Sequence, residues 1–336
     1  MVVCLSPHLI SRSQVVSDLS LKIEKIAQET SNVKSFLLKS NDGAALPEFT
    51  AGAHIDVMVT AEDGTTDKRS YSLASDPKDT SAYTLGVLRE VEGKGGSAFM
   101  HDKLSEGDVI EASNPKNHFP LDDDAEDNLL IAGGIGVTPI LAMARTLSAN
   151  GAKFNMHYAA RAPEEMAFKA DVEAVCGENG HLYFDGGDPS KGINLKELLS
   201  NRQGGLHLFV CGPGGLIEAV RTTATEQGWP ENTIHYEVFK PAELDGEDSA
   251  LEVTLSESGT TYTIPAGETI LDVLLEEGVD IDYDCKMGIC GLCAVKVVDG
   301  EPDHRDYVLT EDEREDEKLF CPCISRAKGG SITLES

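Results

Sequence analysis

Asp284 to Cys293 reads DCKMGICGLC, and this stretch decides how the 336-residue chain is read. Cysteines stand at 285, 290 and 293, and Cys323 follows after a gap of 29 residues. C-x4-C-x2-C with a distant fourth cysteine is the plant-type spacing for a [2Fe–2S] cluster. Four thiolates hold the two irons, and Gly288 and Gly291 let the loop turn and aim backbone N–H groups at sulfur. Structural zinc uses paired C-x2-C knuckles. Only Cys290 and Cys293 form such a pair, because a single residue separates Cys321 from Cys323. Cys321 is a rival fourth ligand or a buried neighbour of the cluster; the long gap of the pattern belongs to Cys323.

Five of the eight cysteines fall in the last 52 residues, so their role is local and no disulfide framework is expected. A reduced, cytoplasmic setting fits this usage. No window approaches the roughly 20 apolar residues of a membrane span. The N-terminus has no charged segment before an apolar run and reads as a loose tail, residues 1–18, rather than a signal peptide. The net charge of −30 argues against nucleic acid as a partner. From 241 to 336 there are 24 Asp and Glu against 7 Lys and Arg, net −17. Such a surface solubilises, or it steers a basic partner.

Three domains are expected around these signals. Residues 19–122 carry short β-rich runs such as VKSFLLKS and HIDVMVT between Gly, Pro, Asp and Asn, which predicts an antiparallel barrel or sandwich. Residues 123–239 alternate strand and helix, which predicts a parallel sheet with helices on both faces. Residues 240–250 read as an acidic linker. Residues 251–336 supply two strands, a helix, the cysteine loop, another strand and an acidic segment.

Further motifs have alternative readings. In LLIAGGIGVTP, Gly133, Gly134 and Gly136 follow a strand and open a helix, where backbone N–H groups and the helix dipole suit a pyrophosphate. The same turn also serves tight packing, and Thr138 caps the helix or touches phosphate. In FVCGPGGL, Cys211 ends a parallel strand, where ligands bind, or is a buried core thiol. Asp185 in YFDGGDP binds the ribose hydroxyls of NAD or forms a turn. In RSYS and GKGGS, Arg69 and Lys94 are cations for a phosphate, Tyr71 can flank a flat ring, and Ser97 can donate to phosphate or flavin.

Taken together and in order, RSYSL, GKGGS, NPKNHFPL, AGGIGVTPILAMAR, CGP, CKMGICGLC, EPDHRDYVLT and CISRAK resemble the phthalate dioxygenase reductase family, which includes vanillate demethylase reductases. The resemblance covers nearly the whole chain beyond the tail. It implies an FMN-binding β-barrel, an α/β NADH domain and a β-grasp ferredoxin domain. Arg69, Ser70, Tyr71 and Ser72 would line the flavin, and Lys94, Gly95, Gly96 and Ser97 would lie at its phosphate or ring. Gly134 and Thr138 would lie at the NAD pyrophosphate. Cys211, Gly212 and Pro213 would be near the nicotinamide, with Cys211 as the residue at the reacting centre, and Phe239 would abut the flavin. Lys94 stands where an Arg is common, so its phosphate contact would be a point charge rather than a fork.

The implied function is a monomeric, NADH-dependent reductase component. It takes hydride onto FMN, passes electrons singly to the cluster held by Cys285, Cys290, Cys293 and Cys323, and delivers them to a terminal oxygenase of the Rieske type. Rival readings are a reductase serving a hydroxylase without a Rieske cluster, and a redox carrier or sensor with a vestigial nucleotide site. The acidic run TEDEREDE, 310–317, is a docking face or a solvated surface.

Overall fold

The computed structural model describes residues 18–60, 66–90, 95–200, 204–240 and 249–335. The tail before Asp18, linker residues 241–248 and Lys94 lie outside them. The described residues form two compact units, one ending at Ile193 and one beginning at Asn194. The division falls inside the segment read as one nucleotide domain.

The first unit begins with the expected antiparallel barrel. Its strands are β1 (Leu19–Gln28), β2 (Val33–Ser40), β3 (His54–Thr60), β4 (Thr66–Ser72), β5 (Tyr83–Leu88) and, after helix α1 (Gly96–Asp102), β6 (Val109–Ala112). They pair in the order β4-β3-β6-β1-β2-β5. An antiparallel bridge between Leu73 and Leu85 nearly closes the sheet on itself. Side chains alternate across a strand, so Phe36 and Leu38 of β2 join Ile55, Val57, Leu85 and Val87 in a core that water does not reach.

Three parallel strands follow: β7 (Asp127–Gly133), β8 (Phe154–Ala160) and β9 (Gly180–Phe184), with helices α2 (Val137–Asn150) and α3 (Lys169–Cys176) between them. β7 is buried from Asn128 to Gly133, as a strand covered on both faces must be. Pro139 is accommodated in the first turn of α2, and Gly151 ends that helix in the left-handed conformation.

Barrel and parallel strands meet at Gly86 in β5. A Cβ there would stand 2.7 Å from both Phe168 Cε2 and Thr138 Cγ2. Phe168 is itself left-handed at φ 56°, and its N–H donates to Glu29 Oε2 at 3.3 Å. A side chain at 86 would push the start of α2 away from the barrel.

The second unit opens with α4 (Leu195–Ser200), β10 (Leu206–Cys211), α5 (Gly214–Glu226) and β11 (Ile234–Glu237), and β10 and β11 pair in parallel. It continues with β12 (Leu251–Leu255), β13 (Thr261–Ile264), α6 (Ile270–Glu276), β14 (Val295–Asp303), α7 (Glu311–Glu315), β15 (Leu319–Phe320) and β16 (Arg326–Leu334). Their sheet has the order β13-β12-β16-β14-β15. The first and last long strands, β12 and β16, are parallel neighbours, and β14 is antiparallel to β16. This is the expected β-grasp arrangement, with α6 covering the sheet through Ile270, Leu271 and Leu274. Arg326, 3% exposed, donates from its two terminal nitrogens to Glu268 O at 2.7 Å and Ser249 O at 2.9 Å.

Gly86→Ala is expected to lower the stability of the full-length protein by about 2 kcal/mol, the scale of overpacking a core. Thermal unfolding followed by circular dichroism checks this.

Candidate functional site

The loop from Asp282 to Ala294 is shaped by three left-handed residues, Lys286, Gly288 and Gly291. Lys286 is held there by its Nζ, which pairs with Asp272 Oδ1 at 2.6 Å and lies 4.7 Å from the Tyr283 ring centre. Gly288 is forced: at φ 70°, an added Cβ would stand 2.7 Å from Ile324 Cγ2 and 3.0 Å from Asp306 Cα.

This folding brings the predicted thiols together. Met287 N–H donates to Cys285 Sγ at 3.3 Å, and the Cys285 thiol hydrogen-bonds to Cys290 Sγ. Cys293 accepts from Cys321 and Cys323, which hold its thiol at about 3 despite burial. Cys323 also faces Cys285 and the Gly288 backbone N–H, whereas Cys321 faces Cys293, Cys323 and Asp306. Cys285 and Cys290 are half-buried; Cys293, Cys321 and Cys323 are buried. A group of thiols beside a loop rich in backbone N–H fits a [2Fe–2S] cluster. Both Cys321 and Cys323 approach Cys293, and Cys323 also faces Cys285.

The loop rests on Asp306, whose side chain is fully buried. Its carboxylate accepts from Leu309 N–H at 3.0 Å, Arg314 at 3.1 Å and the Ser325 hydroxyl at 3.4 Å. The next residue, Tyr307, donates its N–H to Gly288 O at 2.8 Å.

In the barrel, β4 splits RSYS between two faces. Ser70 donates to Asp56 Oδ1 at 2.5 Å, and Ser72 on that same face is buried. Arg69 and Tyr71 share the other face. Arg69 pairs with Asp67 and packs over Gly96, its Nε 2.8 Å from where a Cβ would stand. Arg69 and the Gly95–Gly96–Ser97 turn are thus brought together, and Ser97 Oγ accepts the Glu90 N–H at 3.0 Å. Burial pushes the Tyr71 hydroxyl up to about 12, so the ring stays neutral. A neutral ring, a guanidinium and a glycine-lined turn fit a flavin with its phosphate. Asp56 anchors this strand: burial alone would raise its carboxyl, but Ser70, Lys68 and Lys116 outweigh that and hold it below the usual 3.8.

Around the glycine turn, Gly134 has φ 52° and its carbonyl accepts from Tyr158 Oη at 3.0 Å. The Thr138 side chain is buried and donates to Ile135 O at 3.0 Å. Asp185 Oδ1 accepts from Gly187 N–H at 2.7 Å, the turn-forming role. In the second unit, Cys211 is wholly buried, and burial aided by Glu237 pushes its thiol well up. Gly212 and Pro213 lead into α5, and Phe239 is half-buried just beyond β11. Gly86, Asp56, Asp306 and Arg326 were not singled out from the sequence. EPDHRDYVLT and CISRAK, which contain the last two, were the available signal.

Comparison with known proteins agrees with this geometry. Residues 253–328 match a 2Fe-2S iron-sulfur cluster binding domain, and 20–120 match an oxidoreductase FAD-binding domain. Vanillate O-demethylase oxidoreductase of a Pseudomonas strain (HR199) is 41% identical, over 88% of this chain and 92% of that one. Phthalate dioxygenase reductase of Burkholderia cepacia is 38% identical, over 94% and 97%. A solved structure of phthalate dioxygenase reductase, described as modular for electron transfer from pyridine nucleotides to [2Fe-2S], superposes with a TM-score of 0.70 at 37% identity, covering 95% and 98%. The chain belongs to the phthalate dioxygenase reductase family. Like the reductases of that family, it is an oxidoreductase that works with FMN, a [2Fe–2S] cluster and NADH as the reductase component of a multicomponent oxygenase.

Two expectations follow. Cys323→Ser should abolish the visible iron–sulfur absorbance and bound iron, whereas Cys321→Ser should keep both; iron analysis of the purified variants decides between the two thiols. Asp56, with a lowered carboxyl, stabilises the barrel above its ordinary value of 3.8 and loses that contribution as pH falls through its depressed value. Asp56→Asn should therefore cost about 2 kcal/mol near neutral pH, with the deficit shrinking below about pH 4. Denaturant unfolding across that range checks the sign.

Proposed function

We propose that the terminal acceptor is an oxygenase of the Rieske type, and that Cys285, Cys290, Cys293 and Cys323 are the ligands through which this chain serves it. The convergence of these four thiols on the Gly288 turn carries the reading. When bound, flavin accepts electrons in pairs as hydride and the cluster releases them one at a time. The chain's own part is positioning. Arg69 supplies positive charge beside the Gly96 turn, and Tyr71 offers a neutral ring. Gly134 and the start of α2 offer backbone N–H groups to the NADH pyrophosphate. Hydride transfer between two cofactors needs no side-chain acid or base, which agrees with a Cys211 thiol that is buried and held protonated.

The docking face is the cluster loop with α7. Leu292, between two cysteine ligands, is 54% exposed, and the acids of α7 provide charge for a basic partner. No described helix is long and apolar enough to cross a membrane. A monomer working in the cytoplasm is the simplest form of this reading.

Anaerobic titration with NADH tests it. Both flavin and iron–sulfur bands should bleach at about 1.5 NADH per chain, three electrons from a two-electron donor. The released flavin should be FMN. Bleaching of neither band would leave a cluster protein without a working nucleotide site and end the proposal.

A further inference from the structure

The second unit contains a link that the relay does not by itself explain. Tyr236 on β11 donates its hydroxyl to Tyr307 O at 2.5 Å. Tyr307 in turn donates its N–H to Gly288 O at 2.8 Å, in the middle of the loop between Cys285 and Cys290. The two tyrosine rings meet edge to face, centroids 6.1 Å apart at 81°. Arg221, from α5, lies 4.5 Å from the Tyr236 ring centre and 6.0 Å from that of Tyr307, so one cation covers both. Three residues beyond Tyr236 stands Phe239.

We propose that Tyr236 and Arg221 are positioning residues for electron transfer, clamping the cluster loop to the strand that leads into Phe239. The inference rests on the relay proposed above, in which reduced flavin feeds the cluster. Apolar packing alone would let the two rings slide, whereas the hydroxyl–carbonyl bond fixes a register between β11 and the loop. The guanidinium adds a cation–π contact to each ring without needing a buried carboxylate. Burial raises the Tyr236 hydroxyl, so it remains a donor. The transfer at stake moves one electron from reduced flavin to oxidised cluster, both electrons having come from NADH. Its rate depends on how firmly the loop that holds the cluster is fixed.

The test compares the parent protein, Tyr236→Phe, Arg221→Lys and the double variant Tyr236→Phe/Arg221→Gln, all loaded with flavin and cluster. Rapid mixing with NADH follows the flavin band and then the iron–sulfur band. The double variant should reduce its flavin at the parental rate and its cluster about fivefold more slowly, the factor equivalent to one hydrogen bond. Tyr236→Phe should fall between, and Arg221→Lys should stay near the parent. Amide exchange at Tyr307, whose N–H lies in the linkage, should quicken in the same order. Parental cluster reduction in the double variant, with its visible spectrum intact, overturns the proposal. If the double variant does not hold its cluster, Tyr236→Phe alone is judged on the same two readouts. If NADH fails to bleach the parent's flavin, the relay reading fails, and exchange at Tyr307 still decides whether the clamp exists.

Discussion

A buried carboxylate is the constraint on which the cluster module depends. The Asp306 side chain is shut off from solvent, and its oxygens accept from Leu309, Ser325 and Arg314. These donors come from the residues just after it, from α7 and from the segment that carries Cys323. One carboxylate thereby fixes three stretches of chain against each other. The space left above its backbone admits a glycine at 288 and nothing larger, so the loop that presents three cysteines can close in one way. The ligand set is organised by hydrogen bonding and steric exclusion before any iron is considered.

The first unit is organised by the same two kinds of force, with different residues. Asp56 gathers Ser70, Lys68 and Lys116 and so holds β4, the strand that bears Arg69 and Tyr71. Gly86 is where the barrel and the glycine turn of α2 approach closely enough that a single methyl group has no room. The backbone cost at Phe168, left-handed and β-carbon-bearing, is offset by its burial and its bond to Glu29. Arg69, Tyr71 and the glycine turn are thus placed by buried neighbours elsewhere in the first unit.

The cluster was legible in the sequence because metal ligation imposes a spacing, and spacing survives in one dimension. The barrel was legible because strands with one buried face alternate, as Phe36 and Leu38 of β2 and the residues of β6 do. The choice between Cys321 and Cys323 was open on residue type alone, since both are buried thiols, and both approach Cys293 in the fold. Asp306 was hidden among 24 acidic residues of the C-terminal region, and nothing in a sequence marks which acid is inside. Gly86 carried no signal, because the close approach of the Phe168 and Thr138 side chains is a tertiary fact. RSYS read as one cluster, yet period-two geometry sends its serines away from Arg69 and Tyr71. Thr138, Asp185 and Cys211 each had a structural alternative, and the bonds and burial found for them are of that structural kind.

Arg326 gives the cluster module a seam. Its guanidinium, at the start of the last strand, grips Ser249 O, just upstream of β12, and Glu268 O, at the entrance to α6. The module is thereby tied shut at a point its own sheet does not reach. For anyone cutting or grafting this module, the natural edge lies at Ser249 rather than at the first strand residue, Leu251. A graft beginning at Leu251 would cost the buried guanidinium its bond to Ser249 O and leave that nitrogen the longer contact to Pro265 O, 3.5 Å. The transplanted piece would carry that defect at the start of the strand that follows Cys323.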